Sequence, residues 1–240
     1  MSQAILLDLT KKFELNLEKA GVVTIPTLEV LLAIDKSGSM GGLYAAGYVD
    51  RAVNLFLPLA LKFDDNGQIE VGFFNSTFHE APFAVAEDCG KYLKKSGQRA
   101  DGGTNFAPII EAFETQRSGA TVTEQVTTAA KGFWGKLTGK TTTETVVKAA
   151  PLQTQYRAYA AIITDGANFD KREFERELAK TGGNTFFQFI GIGAGVETQY
   201  LTELAAKYKH VAYFELRDPS NFTDDTFYTQ IVNSKFTAWI

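Results

Sequence analysis

The sequence predicts an α/β fold, a doubly wound, mostly parallel central sheet flanked by helices, and two observations carry that expectation. Apolar segments of strand length alternate with segments of helical spacing along the chain. Several of the strand segments are apolar almost without interruption, as strands covered on both faces must be. A length of 240 residues with 45% apolar and 22% charged residues suits one large globular domain with a sizeable core. The expected organisation is a single domain over residues 1–240, with 1–24 as an N-terminal extension packing on it and 118–151 as an insertion within it.

Taken in order, the stretch from Leu6 to Leu17 reads equally as strand or helix. Strands are expected over 28–34, 69–74, 159–164, 186–192 and 211–216. A helix over 47–61 places Val49, Val53, Phe56, Leu57 and Ala60 on one face, and Pro58 is expected to bend or shorten it. Asp64-Asp65-Asn66-Gly67 then reads as a turn. Asp170 is placed to cap a helix over 171–180 that Gly182-Gly183 closes. Another helix over 197–209 turns Tyr200, Leu201, Leu204 and Ala205 inward. A last one over 224–239 aligns Phe227, Ile231, Val232, Phe236 and Trp239. Within 118–151, Val122, Val126, Ala129, Ala130, Phe133, Trp134 and Leu137 keep helical spacing until Gly139 and Thr141-Thr142-Thr143 interrupt it. A surface helix is expected there. Phe133 and Trp134 beside Lys131, Lys136 and Lys140 would suit peripheral contact with a partner or membrane.

Composition excludes several classes. A net charge of −4 and a pI near 5.3 argue against a nucleic-acid partner, which calls for a basic surface stripe. The single cysteine, Cys89, permits neither an intrachain disulfide nor a thiol metal cluster, and a cytoplasmic location is expected. Residues Met1 to Asp8 lack the basic region of a secretion signal. No run approaches the roughly 20 apolar residues of a transmembrane segment.

The chemistry gathers in three segments. Asp35-Lys36-Ser37-Gly38-Ser39-Met40 leaves the apolar run 28–34 with an acid and two hydroxyls at alternate positions. Gly102-Gly103-Thr104-Asn105 and Ile162-Ile163-Thr164-Asp165-Gly166 offer further oxygens at comparable places. In an open parallel sheet, ligands bind outside the carboxyl ends of the strands, where Asp35 and Asp165 fall. Asp35, Ser37, Ser39, Thr104 and Asp165 form a hard-oxygen donor set without sulfur or imidazole. Such a set suits Mg²⁺, which prefers about six oxygens and keeps waters readily. Mn²⁺ or Ca²⁺ could occupy the same oxygens. With two formal negative charges nearby, the cation would stay electrophilic enough to take a carboxylate from outside.

These residues resemble the metal-ion-dependent adhesion site (MIDAS) of von Willebrand factor A (VWA) domains: Asp35-x-Ser37-x-Ser39, Thr104 after a double glycine, and Asp165-Gly166 after an apolar strand. Four longer stretches are similar to the VWA proteins of the bacterial tellurium-resistance (Ter) group. They are the segments 57–67, 102–110, 163–171 and 187–193. The ending Phe236-Thr237-Ala238-Trp239-Ile240 is similar to that group's Phe-Pro-x-Trp-Leu, with Thr237 in place of proline and Ile240 in place of leucine. The 118–151 segment is longer than the group's usual connection. The resemblance implies a VWA, Rossmann-like fold and a non-enzymatic, metal-dependent protein-binding module. In it Asp35, Ser37 and Ser39 would ligate Mg²⁺, Thr104 would ligate directly or through water, and Asp165 would hold a coordinated water. A protein partner's Asp or Glu would complete the shell, in a stress-response complex of bacterial or phage origin.

Other classes have weaker support. Gly191-x-Gly193-x-Gly195 follows a strand, and Glu215 lies about 20 residues on, as in a nucleotide- or NAD-binding turn. Val196, however, fills the fingerprint's last glycine position. A serine hydrolase would need a Gly-x-Ser-x-Gly elbow, and Ser37 takes the first glycine place around Ser39. His79 and His210 read as surface or strand-end residues, and the Lys91–Lys95 patch as a solvated face. A structural or assembly role in a phage is the remaining alternative.

Overall fold

A computed structural model describes residues 2–24, 26–118, 123–129, 141–147, 157–193, 195–218 and 223–240. The chain divides into two compact units, one of residues 1–111 with 156–240 and one of residues 112–155.

The larger unit is built on a six-stranded sheet. Its strands are β1 (Leu28–Asp35), β2 (Glu70–Phe74), β3 (Phe78–Glu80), β6 (Arg157–Thr164), β7 (Thr185–Ile192) and β8 (Val211–Leu216), in the spatial order β3-β2-β1-β6-β7-β8. All neighbours are parallel except β2 and β3, which form an antiparallel edge. β3 is a three-residue strand without an apolar run, and it was not among the expected strands. The chain builds outward from β1 to one side and then restarts at β6 on the other, so strand order reverses between them. In register, Leu28 faces Arg157 and Ile34 faces Ile163, which sets Asp35 and Thr164 side by side at the top of that switch point.

Both faces of the sheet are buried, as the uninterrupted apolar strands require. On one face Val30, Leu32 and Ile34 of β1 meet the helices α1 (Ser2–Lys19), α3 (Tyr48–Phe63), α8 (Asp224–Ile231) and α9 (Ser234–Trp239). The stretch 6–17 is therefore helical: Leu6, Leu9, Phe13 and Leu17 bury one stripe at helical spacing. Phe13 packs 5.3 Å from Tyr228 and 5.7 Å from Phe63, while Asn16 Nδ2 donates to Asp225 of α8 at 2.9 Å. On the other face Phe106 sits 5.8, 5.5 and 5.7 Å from Phe74, Phe174 and Phe189.

Several expectations are corrected. Pro58 does not shorten its helix, because α3 continues through it to Phe63. The last helix is two: α8 ends at Ile231, and Asn233 starts α9 by accepting from the backbone amides of Lys235 and Phe236, each at 3.0 Å. In the smaller unit the helical spacing around Val126 and Ala129 misleads. Residues there form an antiparallel hairpin of β4 (Thr123–Ala129) and β5 (Thr141–Val147), in keeping with their many β-branched side chains. Phe133, Trp134, Lys131, Lys136 and Lys140, on which peripheral contact rested, lie outside the described residues. Among the described residues no helix is long and apolar enough to cross a membrane.

Candidate metal centre

The carboxyl ends of β1 and β6 hold the first part of the candidate site. Asp35 is fully buried. Its Oδ1 accepts from the backbone amide of Ser37 at 2.7 Å and its Oδ2 from the Thr164 hydroxyl at 2.7 Å. Burial is the largest influence on it and pushes its carboxyl up to about 6, against the lowering effect of these hydrogen bonds. The adjacent ammonium does not relieve it: Lys36 pairs with Asp101 at 3.2 Å.

A hydroxyl relay extends from there. Ser39 Oγ donates to Asp165 Oδ1 at 2.8 Å, so the 3.1 Å contact between Ser37 and Ser39 has Ser37 as donor. Burial also raises Asp165, and the Ser39 hydrogen bond partly offsets it. Thr104, almost fully buried, completes the cluster from the third loop. A Cβ at Gly166 would lie 3.4 Å from Thr104 Oγ1 and 4.0 Å from Ser39 Oγ, so both hydroxyls converge beside Gly166. All five residues singled out in the sequence, Asp35, Ser37, Ser39, Thr104 and Asp165, thus fall on three adjoining loops.

Backbone bonds hold those loops in place. Gly38 donates to the carbonyl of Gly102 at 3.1 Å, and Lys36 to that of Phe74 at 2.7 Å. Asn105 donates to the carbonyl of Asn75 at 2.8 Å, and Asn75 Nδ2 donates to Asp101 Oδ1, also at 2.8 Å. Phe169 donates to the carbonyl of Thr104 at 3.0 Å; its ring is 75% exposed and stands next to Gly103. Asp170 precedes α6 (Lys171–Lys180), yet its side chain does not cap that helix. It accepts instead from the backbone amides of Phe106 and Ala107, each at 2.9 Å, where α5 (Ala107–Ser118) begins beside Thr104.

Sequence reasoning passed over Thr164, Asn75, Asp101 and Asp170 as site residues. Thr164 had a usable signal, a hydroxyl that ends the apolar run 160–163. Asn75 and Asp101 had none, because their pairing spans 26 positions.

The donor set fits a hard divalent cation. Its contacting atoms are carboxylate and hydroxyl oxygens, and the buried carboxylate of Asp35 has no cationic partner among the described residues. Among the described residues no group of three or more His, Cys, Asp and Glu side chains is placed to hold a metal ion, so hydroxyls would have to supply much of the donor set here.

The glycines of the alternative nucleotide reading have packing reasons of their own. A Cβ at Gly195 would stand 2.7 Å from the carbonyl oxygen of Asp165, and one at Gly191 would stand 2.7 Å from Val196 Cγ1. Gly193 has φ +84°, a left-handed conformation that favours glycine. Glu215 is bonded to Arg217 at 3.0 Å.

This six-stranded, doubly wound sheet with one antiparallel edge matches the fold of von Willebrand factor A domains. Residues 27–240 match the vWA-TerF-like family model, described as the vWA found in the TerF C terminus, and the chain belongs to that family. It is 24% identical over 244 residues to the uncharacterized protein YcbR of Bacillus subtilis (strain 168), covering 98% of this chain and 86% of that one. Among solved structures it is similar to a von Willebrand factor type A protein from Catenulispora acidiphila, with TM-score 0.53, 15% identity and coverage of 87% and 43% of the two chains. It is also similar to proximal thread matrix protein 1 from the mussel byssus, described with a zinc occupied MIDAS motif. There the TM-score is 0.55, the identity 16% and the coverage 88% and 48%. The chain thus spans less than half the length of these solved structures.

Proposed function

We propose that this chain is a metal-dependent protein-binding module. Asp35, Ser37, Ser39, Thr104 and Asp165 would hold a divalent cation, Mg²⁺ by the hardness of its oxygens. A bound cation supplies an electrophilic coordination position for a partner's Asp or Glu carboxylate. The observation that carries this reading is Asp35, a fully buried carboxylate whose acidity burial has weakened and which no cation among the described residues neutralises. Thr164 and the Ser37 amide orient its two oxygens, and the Ser37–Ser39–Asp165 relay aligns the hydroxyls beside them. The zinc in the mussel protein's MIDAS motif supports a divalent ion in this fold, and the TerF-like family supports a place in a Ter-type stress-response assembly. The exposed ring of Phe169, tied to Thr104, offers an apolar surface beside the carboxylate-accepting position.

In this reading the module binds and does not turn over a substrate, since among the described residues no imidazole accepts from these hydroxyls. Calorimetric titration with Mg²⁺ and Mn²⁺ tests the metal. Saturable binding is expected in the native chain and none in Asp35→Ala. Absence of binding of either ion, or an Asp35→Ala variant that titrates like the native chain, overturns the reading. A pull-down with and without EDTA then tests the partner, whose capture should require the ion.

A further inference from the structure

At the far end of the sheet from the oxygen-rich loops, where β6, β7 and β8 begin, a cleft of about 600 Å³ opens beside α9. Its volume lies within the roughly 300–1,000 Å³ of small-molecule sites. The cleft is lined by Arg157, Gly183, Lys209, His210, Lys235 and Trp239 among others, and among the described residues no Asp or Glu lines it. The indole of Trp239 is fixed by its Nε1 donating to the carbonyl of Gly183 at 2.8 Å. The Arg157 guanidinium stacks on that indole, 3.7 Å from its centroid.

Stacking takes the flat face of the guanidinium, and no described residue claims its N–H edge. Among the described residues no ion pair includes Arg157, Lys209 or Lys235. The contrast with other surface cations is plain: Lys12 pairs with Asp8 and Asp224, Lys171 with Glu197, and Lys207 with Glu175. Lys235 spends its protons on the carbonyls of Ala205, Tyr208 and Val211, so it adds charge to the cleft but no free donor. Burial lowers the basicity of both Arg157 and Lys235, and no acid opposes it. Partly desolvated cations without a counter-charge are unfavourable, and an entering anion relieves them. The planar N–H edge of a guanidinium matches an oxyanion in bidentate fashion.

We infer that this cleft binds a small, multiply charged oxyanion, a phosphate or polycarboxylate group. The edge of Arg157 grips it, the exposed ammonium of Lys209 closes on it, and the Trp239 indole holds Arg157 in place. This site is independent of the metal reading and lies at the other end of β6 from it.

Titration calorimetry of the full chain with inorganic phosphate and with citrate, at constant ionic strength and against a chloride control, tests the inference. Saturable 1:1 binding of at least one anion is expected, and the preferred anion separates the phosphate source from the polycarboxylate source. Loss of one charge-assisted contact in Arg157→Gln should weaken it about tenfold. Lys209→Glu changes an exposed side chain and tests the cleft without endangering the fold; it too should weaken binding, while Lys94→Glu and Asp35→Ala should not. The inference is overturned if neither anion saturates, if Lys209→Glu binds like the native chain, or if Lys94→Glu weakens binding equally.

Discussion

At the carboxyl ends of β1 and β6 a buried carboxylate, Asp35, is met by hydroxyl and amide donors. At the amino ends of β6, β7 and β8 two partly buried cations, Arg157 and Lys235, are met by an aromatic ring and by carbonyls. The two ends therefore carry desolvated charge of opposite sign, and in neither case do the described residues supply the opposing charge. Elsewhere on the larger unit, charges are paired in the ordinary way, as Lys12 with Asp224 and Lys171 with Glu197. A buried charge with dipolar partners alone is held in shape while remaining able to bind an ion of opposite sign, so both ends are places for ligands.

The largest expected effect lies at the acidic end of the sheet. Because burial raises Asp35 to about 6 from its ordinary value of 3.8, the folded state holds a proton more tightly than the unfolded one. That contribution is favourable at low pH and is lost as pH rises through the window from 3.8 to about 6. Metal-free Asp35→Asn should then be more stable than the native chain at pH 7.5, by on the order of 2 kcal/mol, and the gap should close as pH falls below that window. Paired denaturant melts across pH in EDTA measure it, and a gap that does not depend on pH would separate Asp35 from the comparison. A smaller effect concerns the frame around the same loops. Asp170→Ala removes the carboxylate that accepts from Phe106 and Ala107 and should lower stability by about 1–2 kcal/mol in urea melts. The smallest sharpens the division between gripping an ion and gripping a partner: Phe169→Ser, at an exposed ring, should leave Mg²⁺ affinity unchanged while weakening metal-dependent partner capture in a pull-down.

The strands were legible because each is buried on both faces and so announces itself as a continuous apolar run. β3 was not, since a short edge strand paired on one side needs no such run. Residues 123–129 were misread because a few apolar side chains at helical spacing outweighed a Thr-rich composition that favours strand. For the candidate site, Asp35, Ser37 and Ser39 were visible as a local pattern, and Thr104 and Asp165 through their neighbouring glycines. The basic cleft was invisible: Arg157, Lys209, Lys235 and Trp239 are scattered along the chain and meet only when three strand ends are brought together.

By itself, the sequence determined the doubly wound sheet and the oxygen-rich character of three loops. Both follow from short-range spacing, two-faced burial in one case and alternate positions on a single loop in the other. Tertiary structure alone decided how the charges are shared. Asp170, placed by sequence to cap its own helix, caps the start of one that begins 63 positions earlier. Lys36, adjacent to Asp35, turns to Asp101 and leaves Asp35 without a cation. Hydrogen bonds and ion pairs act over a few ångströms, and which groups come that close depends on how distant segments pack.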